Sequence, residues 1–151
     1  MSKTRKISTN EEAEQTMVAM QTALKAKMKA LKHFAQDKLE AFEESEELEM
    51  GVRIYKESNN YGTKLPNGQT VKVSYQGYLP NGRKIDSGNM VFSIGQKDMI
   101  AGFSIGAQAL QQGEEATIFI PSAAAYGKNG SGKDIKPYTT LIFDMTLKDI
   151  L

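Results

Sequence analysis

From residue 141 every second position is apolar: Leu141, Phe143, Met145 and Leu147 are separated by Ile142, Asp144 and Thr146. A period of two predicts a strand with Phe143 on its covered face. Val71-Lys72-Val73-Ser74-Tyr75 alternates in the same way, and Ala116 to Ile120 is a short apolar run closed by Pro121. Leu65-Pro66-Asn67-Gly68 and Leu79-Pro80-Asn81-Gly82 read as turns, because proline presets one turn dihedral and glycine admits a positive φ. Between the strands, Gly102 to Leu110 predicts a short helix with Phe103, Ala107 and Leu110 on one side. Several antiparallel strands around one helix predict an α+β domain.

Before residue 50 the period lengthens. Met17, Leu24 and Leu31 recur every seven residues, and Met28, Ala35 and Phe42 fill the second seam position, with Gln21 and Lys38 interrupting the rows. This imperfect heptad predicts one long N-terminal helix, started by Thr9 and Glu12 at capping-box spacing. All 13 glycines and all 4 prolines lie at or after Gly51. That shift divides the chain into a helical segment, 1–50, and a second domain, 51–151. An apolar stripe needs a covering surface: its own domain, a client, or a second copy. A homodimer through residues 10–45 is the expectation. Lys25, Lys27, Lys29 and Lys32 precede an acidic block of Asp37, Glu40, Glu43, Glu44, Glu46, Glu47 and Glu49, so an antiparallel pair would match opposite charges. Charge runs are nonetheless most often solvated faces.

Composition narrows the chemistry. With 19 basic and 18 acidic residues the formal net charge is +1, which gives no field for nucleic acid or anionic lipid. Cysteine is absent, which removes disulfides, thiolate catalysis and cysteine-bound zinc. No apolar run approaches membrane-span length, and the basic start Met1 to Lys6 is not followed by an apolar core. The sequence leaves the compartment open: cytoplasm as written, or a bacterial periplasm or envelope if a signal segment has been removed. The single histidine, His33, lies in the long helix, so a serine–histidine triad or a histidine metal site is not expected. Gly127 to Lys133 has the glycine and lysine spacing of a phosphate loop, but Asp134 replaces the magnesium-binding hydroxyl and Pro137 blocks the following helix. No cofactor is expected.

What remains is apolar and aromatic residues with isolated polar groups: Tyr75, Asp86, Phe92, Met99, Ile100, Phe103, Tyr126, Ile135 and Phe143. Taken singly, Phe92 and Phe143 read as ordinary core. Their order along the chain changes that. The strand Val71 to Leu79, the turn and aspartate of Asn81 to Ser87, Phe92-Ser93-Ile94-Gly95 with Met99 to Phe103, Gly113 to Ala116, Ala125-Tyr126-Gly127 and Thr140 to Leu147 together resemble the FKBP family of peptidyl-prolyl cis/trans isomerases. Six segments in order over about 100 residues are a specific signal.

The resemblance implies a five- or six-stranded antiparallel sheet wrapped round a short helix, and an enzyme that rotates X-Pro bonds in folding proteins. It implies Phe103 as cleft floor, Tyr75, Phe92 and Phe143 as deep walls, and Met99 and Ile100 at the side. It also implies a substrate carbonyl on the Ile100 N–H, a second on Tyr126 at the rim, and a buried Asp86 that fixes the shape. Ile85 and Met90 stand where the family has aromatics, and Phe103 where it often has tryptophan. Ile135 completes the binding surface. Ser131, Asp134 and Lys136 make a more polar rim than usual. The implied partners are proline-containing peptides or unfolded clients, and a macrolide. The Mip-like branch, which dimerises through an N-terminal helical segment and works in the bacterial envelope, is similar in layout. The alternative is a folding chaperone or client-binding adaptor in which isomerisation is secondary or absent.

Overall fold

The structure is a computed structural model that describes residue 18, residues 32–58 and residues 62–151. The expected cap at Thr9 and Glu12 and the heptad positions Met17, Leu24, Met28 and Leu31 lie outside the described residues, as does the Ala35 side chain. The first described element is helix α1, Lys32–Glu43. Strands β1 (Glu46–Glu47) and β2 (Arg53–Tyr55) follow, joined by a turn of 3-10 helix at Glu49–Gly51. Next come β3 (Thr70–Tyr78), β4 (Lys84–Ser93), helix α2 (Ala101–Gln108), β5 (Glu115–Ile120) and β6 (Leu141–Ile150). The six strands form one antiparallel sheet in the order β1-β2-β5-β6-β3-β4. No described helix is long and apolar enough to cross a membrane.

The turn signals act as expected. At the β3–β4 hairpin Gly82 takes φ 89° and its N–H donates to the Leu79 carbonyl at 2.9 Å. Asn81 accepts from the Arg83 N–H at 2.9 Å, an Asx turn that closes the loop.

The two sides of the sheet are covered by different helices. Ile118, Ile120, Leu141, Phe143, Met145 and Leu147 face α2, where Phe103 and Ala107 are buried, with the buried Leu110 just beyond the helix, which ends at Gln108. The helix lies close because Gly102 and Gly106 turn bare backbone to β5; a Cβ at either would collide with Ile120 or Ile118. Phe119 and Ile142 alternate to the opposite side. There they meet Phe42 of α1, with Phe34, Leu39, Ala41 and Tyr78 around them. This explains why Ile118-Phe119-Ile120 and Leu141-Ile142-Phe143 are continuously apolar: both faces of these strands are covered.

Two positions of the heptad reading are corrected here. Phe42 is 1% exposed and meets Phe119 edge to face at 5.2 Å, so it belongs to the fold of its own chain. Lys38, read as a polar interruption, faces the sheet and grips Asp144 of β6 with its ammonium at 2.7 and 2.9 Å. The end of α1 is fastened as well. Ser45 donates to the Phe42 carbonyl, and Arg53 of β2 donates to the Ser45 hydroxyl at 2.8 Å and carbonyl at 2.7 Å. The sheet thus begins at Glu46, before the composition shift at Gly51.

Beside β2, the buried Lys56 donates to Glu114 at 2.8 Å and to the Ala109 carbonyl at 3.0 Å. Burial acts to raise the Glu114 carboxyl. The Lys56 ammonium, the Gln111 N–H and the Ser58 hydroxyl outweigh it and hold the group below its ordinary range. The pair ties the loop after α2 to the sheet.

A candidate active-site cleft over helix α2

A cleft of about 330 Å³ opens over the N-terminal end of α2. Its lining comes from four elements and two loops: Tyr75 of β3, Asp86 and Met90 of β4, Gln96, Asp98 and Met99 of the following loop, Ile100 and Phe103 at the start of α2, Tyr126, and Phe143 of β6.

Phe103 is the hub. Its ring meets Tyr75 edge to face at 5.2 Å, Phe143 edge to face at 5.2 Å and Phe92 at 5.5 Å, while Tyr75 and Phe143 are 6.1 Å apart. Edge-to-face packing points the positive ring edge at a negative face and fixes orientation as well as distance. Phe103 and Phe92 are each 3% exposed and Phe143 is 6% exposed, so the floor is sealed from below. Phe143 reaches its place because Gly77 pairs with it across β3 and β6 and offers no side chain. A Cβ there would lie 2.5 Å from a ring carbon.

The polar groups are held in place. Tyr75 Oη donates to Asp86 Oδ2 at 3.1 Å, and Asp86 Oδ1 accepts the Ser87 N–H at 2.8 Å. Burial, then the hydrogen bond and negative charge of Asp86, push the Tyr75 phenol above the ordinary tyrosine range. Gln96 accepts from the Ser93 N–H at 2.7 Å and donates to Asp98 at 2.6 Å, fixing a second carboxylate at the mouth. Ile100 is the N-cap of α2, extended at φ −60° and ψ 137°, with no side-chain cap. Tyr126 is 39% exposed and stands at the rim.

The structure therefore brings together Tyr75, Asp86, Met90, Met99, Ile100, Phe103, Tyr126 and Phe143, with Phe92 beneath Phe103. Asp86 is exposed rather than buried, because β4 is the edge of the sheet and no strand flanks it there among the described residues. Ile85 and Ile135 do not line the cleft; both pack against the edge of the core. Ile85 is the extra residue where the register shifts opposite Gly77 and Tyr78, and such a bulge re-aims its side chain. Ile135 is bridged to Ser131 by two backbone hydrogen bonds within its loop. Sequence reasoning missed Gln96 and Asp98. The available signal was a polar Gln96-Lys97-Asp98 step between two apolar cleft segments.

Residues 62–148, more than half of the chain, match the family described as FKBP-type peptidyl-prolyl cis-trans isomerase. FK506-binding protein 1 of Candida glabrata is 38% identical over 109 residues, covering 68% of this chain and 96% of that protein. FK506-binding protein 4 of Dictyostelium discoideum is 37% identical over 89 residues, which are 57% of this chain and only 24% of that longer protein. The crystal structure of a peptidyl-prolyl cis-trans isomerase from Pseudomonas syringae pv. tomato superposes with a TM-score of 0.67 at 26% identity, over 91% of this chain and 95% of that one. Sequence and fold agree, and the chain belongs to the FKBP-type peptidyl-prolyl cis-trans isomerase family.

Proposed function

We propose that the cleft holds an extended X-Pro segment of a peptide or unfolded protein and speeds rotation about the bond before proline. The observation that carries this is the aromatic floor and walls of Phe103, Tyr75 and Phe143, open on one side, with the Tyr75 hydroxyl already engaged by Asp86. Uncatalysed isomerisation crosses a barrier of about 18–20 kcal/mol and takes tens to hundreds of seconds. No nucleophile is needed to lower it. As the amide twists it loses resonance, and its carbonyl loses the polarity that water stabilises. A dry aromatic surround disfavours the planar ground state more than the twisted form. A gain of about a millionfold requires roughly 8 kcal/mol, shared among desolvation, fit and hydrogen bonds.

In this reading the proline ring rests on Phe103 between Tyr75 and Phe143. The Ile100 N–H, at the uncapped start of α2, meets one substrate carbonyl, and Tyr126 meets another at the rim. Asp86 holds Tyr75 and so fixes the wall. Met90 and Met99 supply adaptable sides. An FK506-type macrolide would enter the same cleft. Full-length protein at micromolar concentration should accelerate isomerisation of a fluorescent X-Pro peptide in a protease-free assay. No acceleration would overturn the enzyme reading.

The rate constant should be flat from about pH 6 to 8. No histidine lines the cleft, and the raised Tyr75 phenol keeps its proton throughout that window. A bell-shaped profile there would reveal proton transfer in the step.

Gly77→Ala should cost about 1–3 kcal/mol in thermal or urea melts, because it overpacks the Gly77–Phe143 contact. It should also lower kcat/KM about tenfold as the Phe143 ring tilts into the cleft. Normal activity with normal stability would mean that the ring has room to move.

A second copy of the chain is proposed to cover Met17, Leu24, Met28 and Leu31. The support is their heptad spacing; Phe42 is already committed to the sheet. Leu24→Glu with Leu31→Glu should yield monomers in sedimentation that still turn over short peptides. A wild-type monomer at high concentration would refute the pairing.

A further inference from the structure

Several contacts on the α1 side of the sheet converge on one carboxylate. Lys38 Nζ bonds both oxygens of Asp144, at 2.7 and 2.9 Å, and Thr117 Oγ1 donates to Asp144 at 2.7 Å. The two charged side chains are 13% and 27% exposed. The Lys38 ammonium also lies 5.8 Å from the Phe34 ring and 5.9 Å from the Tyr78 ring, and those rings are 5.1 Å apart. An ion pair flanked by Thr117, Phe34 and Tyr78 in this way has little freedom to shift, and partial burial weakens its screening by salt.

Asp144 follows Phe143 in β6. Side chains alternate along a strand, so one points to α1 and the other into the cleft. Across the sheet, Gln76, Asp144 and Thr117 form one register row, and Gly77, Phe143 and Ile118 form the next. In that second row Gly77 provides no side chain against the Phe143 ring. On that side the ring's position follows its own backbone, and that backbone is gripped one residue further on.

We propose that Lys38 is a positioning residue for the cleft: by holding Asp144 from behind the sheet it fixes β6 and so sets the Phe143 ring on the cleft side. The inference rests on the cleft being the isomerase site proposed above. It makes α1 part of the machinery that shapes the site, although none of its residues lines the cleft.

The test uses the full chain with Lys38→Met, Lys38→Arg, Asp144→Asn and the Lys38→Met/Asp144→Asn pair. Lys38→Met keeps the apolar stem over Phe34 and Tyr78 and deletes the charge. It should lower kcat/KM for an X-Pro peptide by roughly fivefold while the protein stays folded, and the double variant should be no worse than the worse single one. Lys38→Arg should restore most of the loss, since guanidinium fits a carboxylate with two parallel bonds. The aromatic NMR signals of Phe143 should move in Lys38→Met while those of Phe92, on β4, stay in place. Unchanged kcat/KM with unchanged Phe143 signals would overturn the proposal, even if the melting temperature fell. If the wild-type chain fails to accelerate the peptide, the isomerase reading fails, and the Phe143 signals alone decide the role of Lys38.

Discussion

Phe103→Ala should reduce kcat/KM by about a hundredfold or more and cost roughly 3–5 kcal/mol of stability. Three rings converge on Phe103, two of them edge to face at 5.2 Å. Its removal leaves a void beneath the substrate and frees Tyr75 and Phe143 to turn into it. Water entering that void restores the polar surround that favours the planar amide. Phe103→Leu separates the two effects. It keeps most of the volume and should cost less than about 1.5 kcal/mol, yet it lacks a flat face and should still lose activity about tenfold. The check is paired: urea denaturation for stability, and peptide kinetics well inside the folded baseline. A Leu variant with full activity would show that volume, not ring geometry, makes the floor.

Phe42→Ala should destabilise the whole described fold by about 3–5 kcal/mol, a large fraction of the roughly 5–15 kcal/mol that holds an ordinary domain together. Phe42 is 1% exposed, lies edge to face on Phe119, and carries the Arg53 guanidinium 5.4 Å from its ring. Its loss opens a cavity between α1 and the sheet. Because the contact is within one chain, the change in urea midpoint should not depend on protein concentration. A difference between variant and wild-type midpoints that itself changes with concentration would place Phe42 between subunits instead.

The sequence was most legible where one period governed an element. β3 and β6 alternate because their cleft-side positions pack on α2, and the helix from Ala101 shows Phe103, Ala107 and Leu110 on one side. β4 was harder to read, since an edge strand with an exposed Val91 carries little burial pattern. β1 and β2 gave no signal: Glu46–Glu47 is charged and Arg53–Tyr55 is short; β5 supplies the template for β2, and β2 the template for β1. The heptad misplaced Phe42 and Lys38 because spacing within a helix reports that a face is covered and not what covers it. Lys38 is polar on that face because Asp144 waits across from it, a fact held by residue 144 and invisible within the helix. In the cleft, the aromatic members were found through their order along the chain. Gln96 and Asp98 escaped because polar groups in a loop look alike whether they face a ligand or bulk water.

The sheet order has a consequence for synthesis. β6, the last strand, is not at an edge; it lies between β5 and β3. Until residues 141–150 leave the ribosome, β1-β2-β5 and β3-β4 lack the strand that lies between them, so β5 and β3 each keep an unpaired edge. A late central strand joins them and brings Phe143 to Phe103 in the same event. The cleft is therefore incomplete until β6 has been translated, and the unpaired strand edges of the shorter chain invite aggregation.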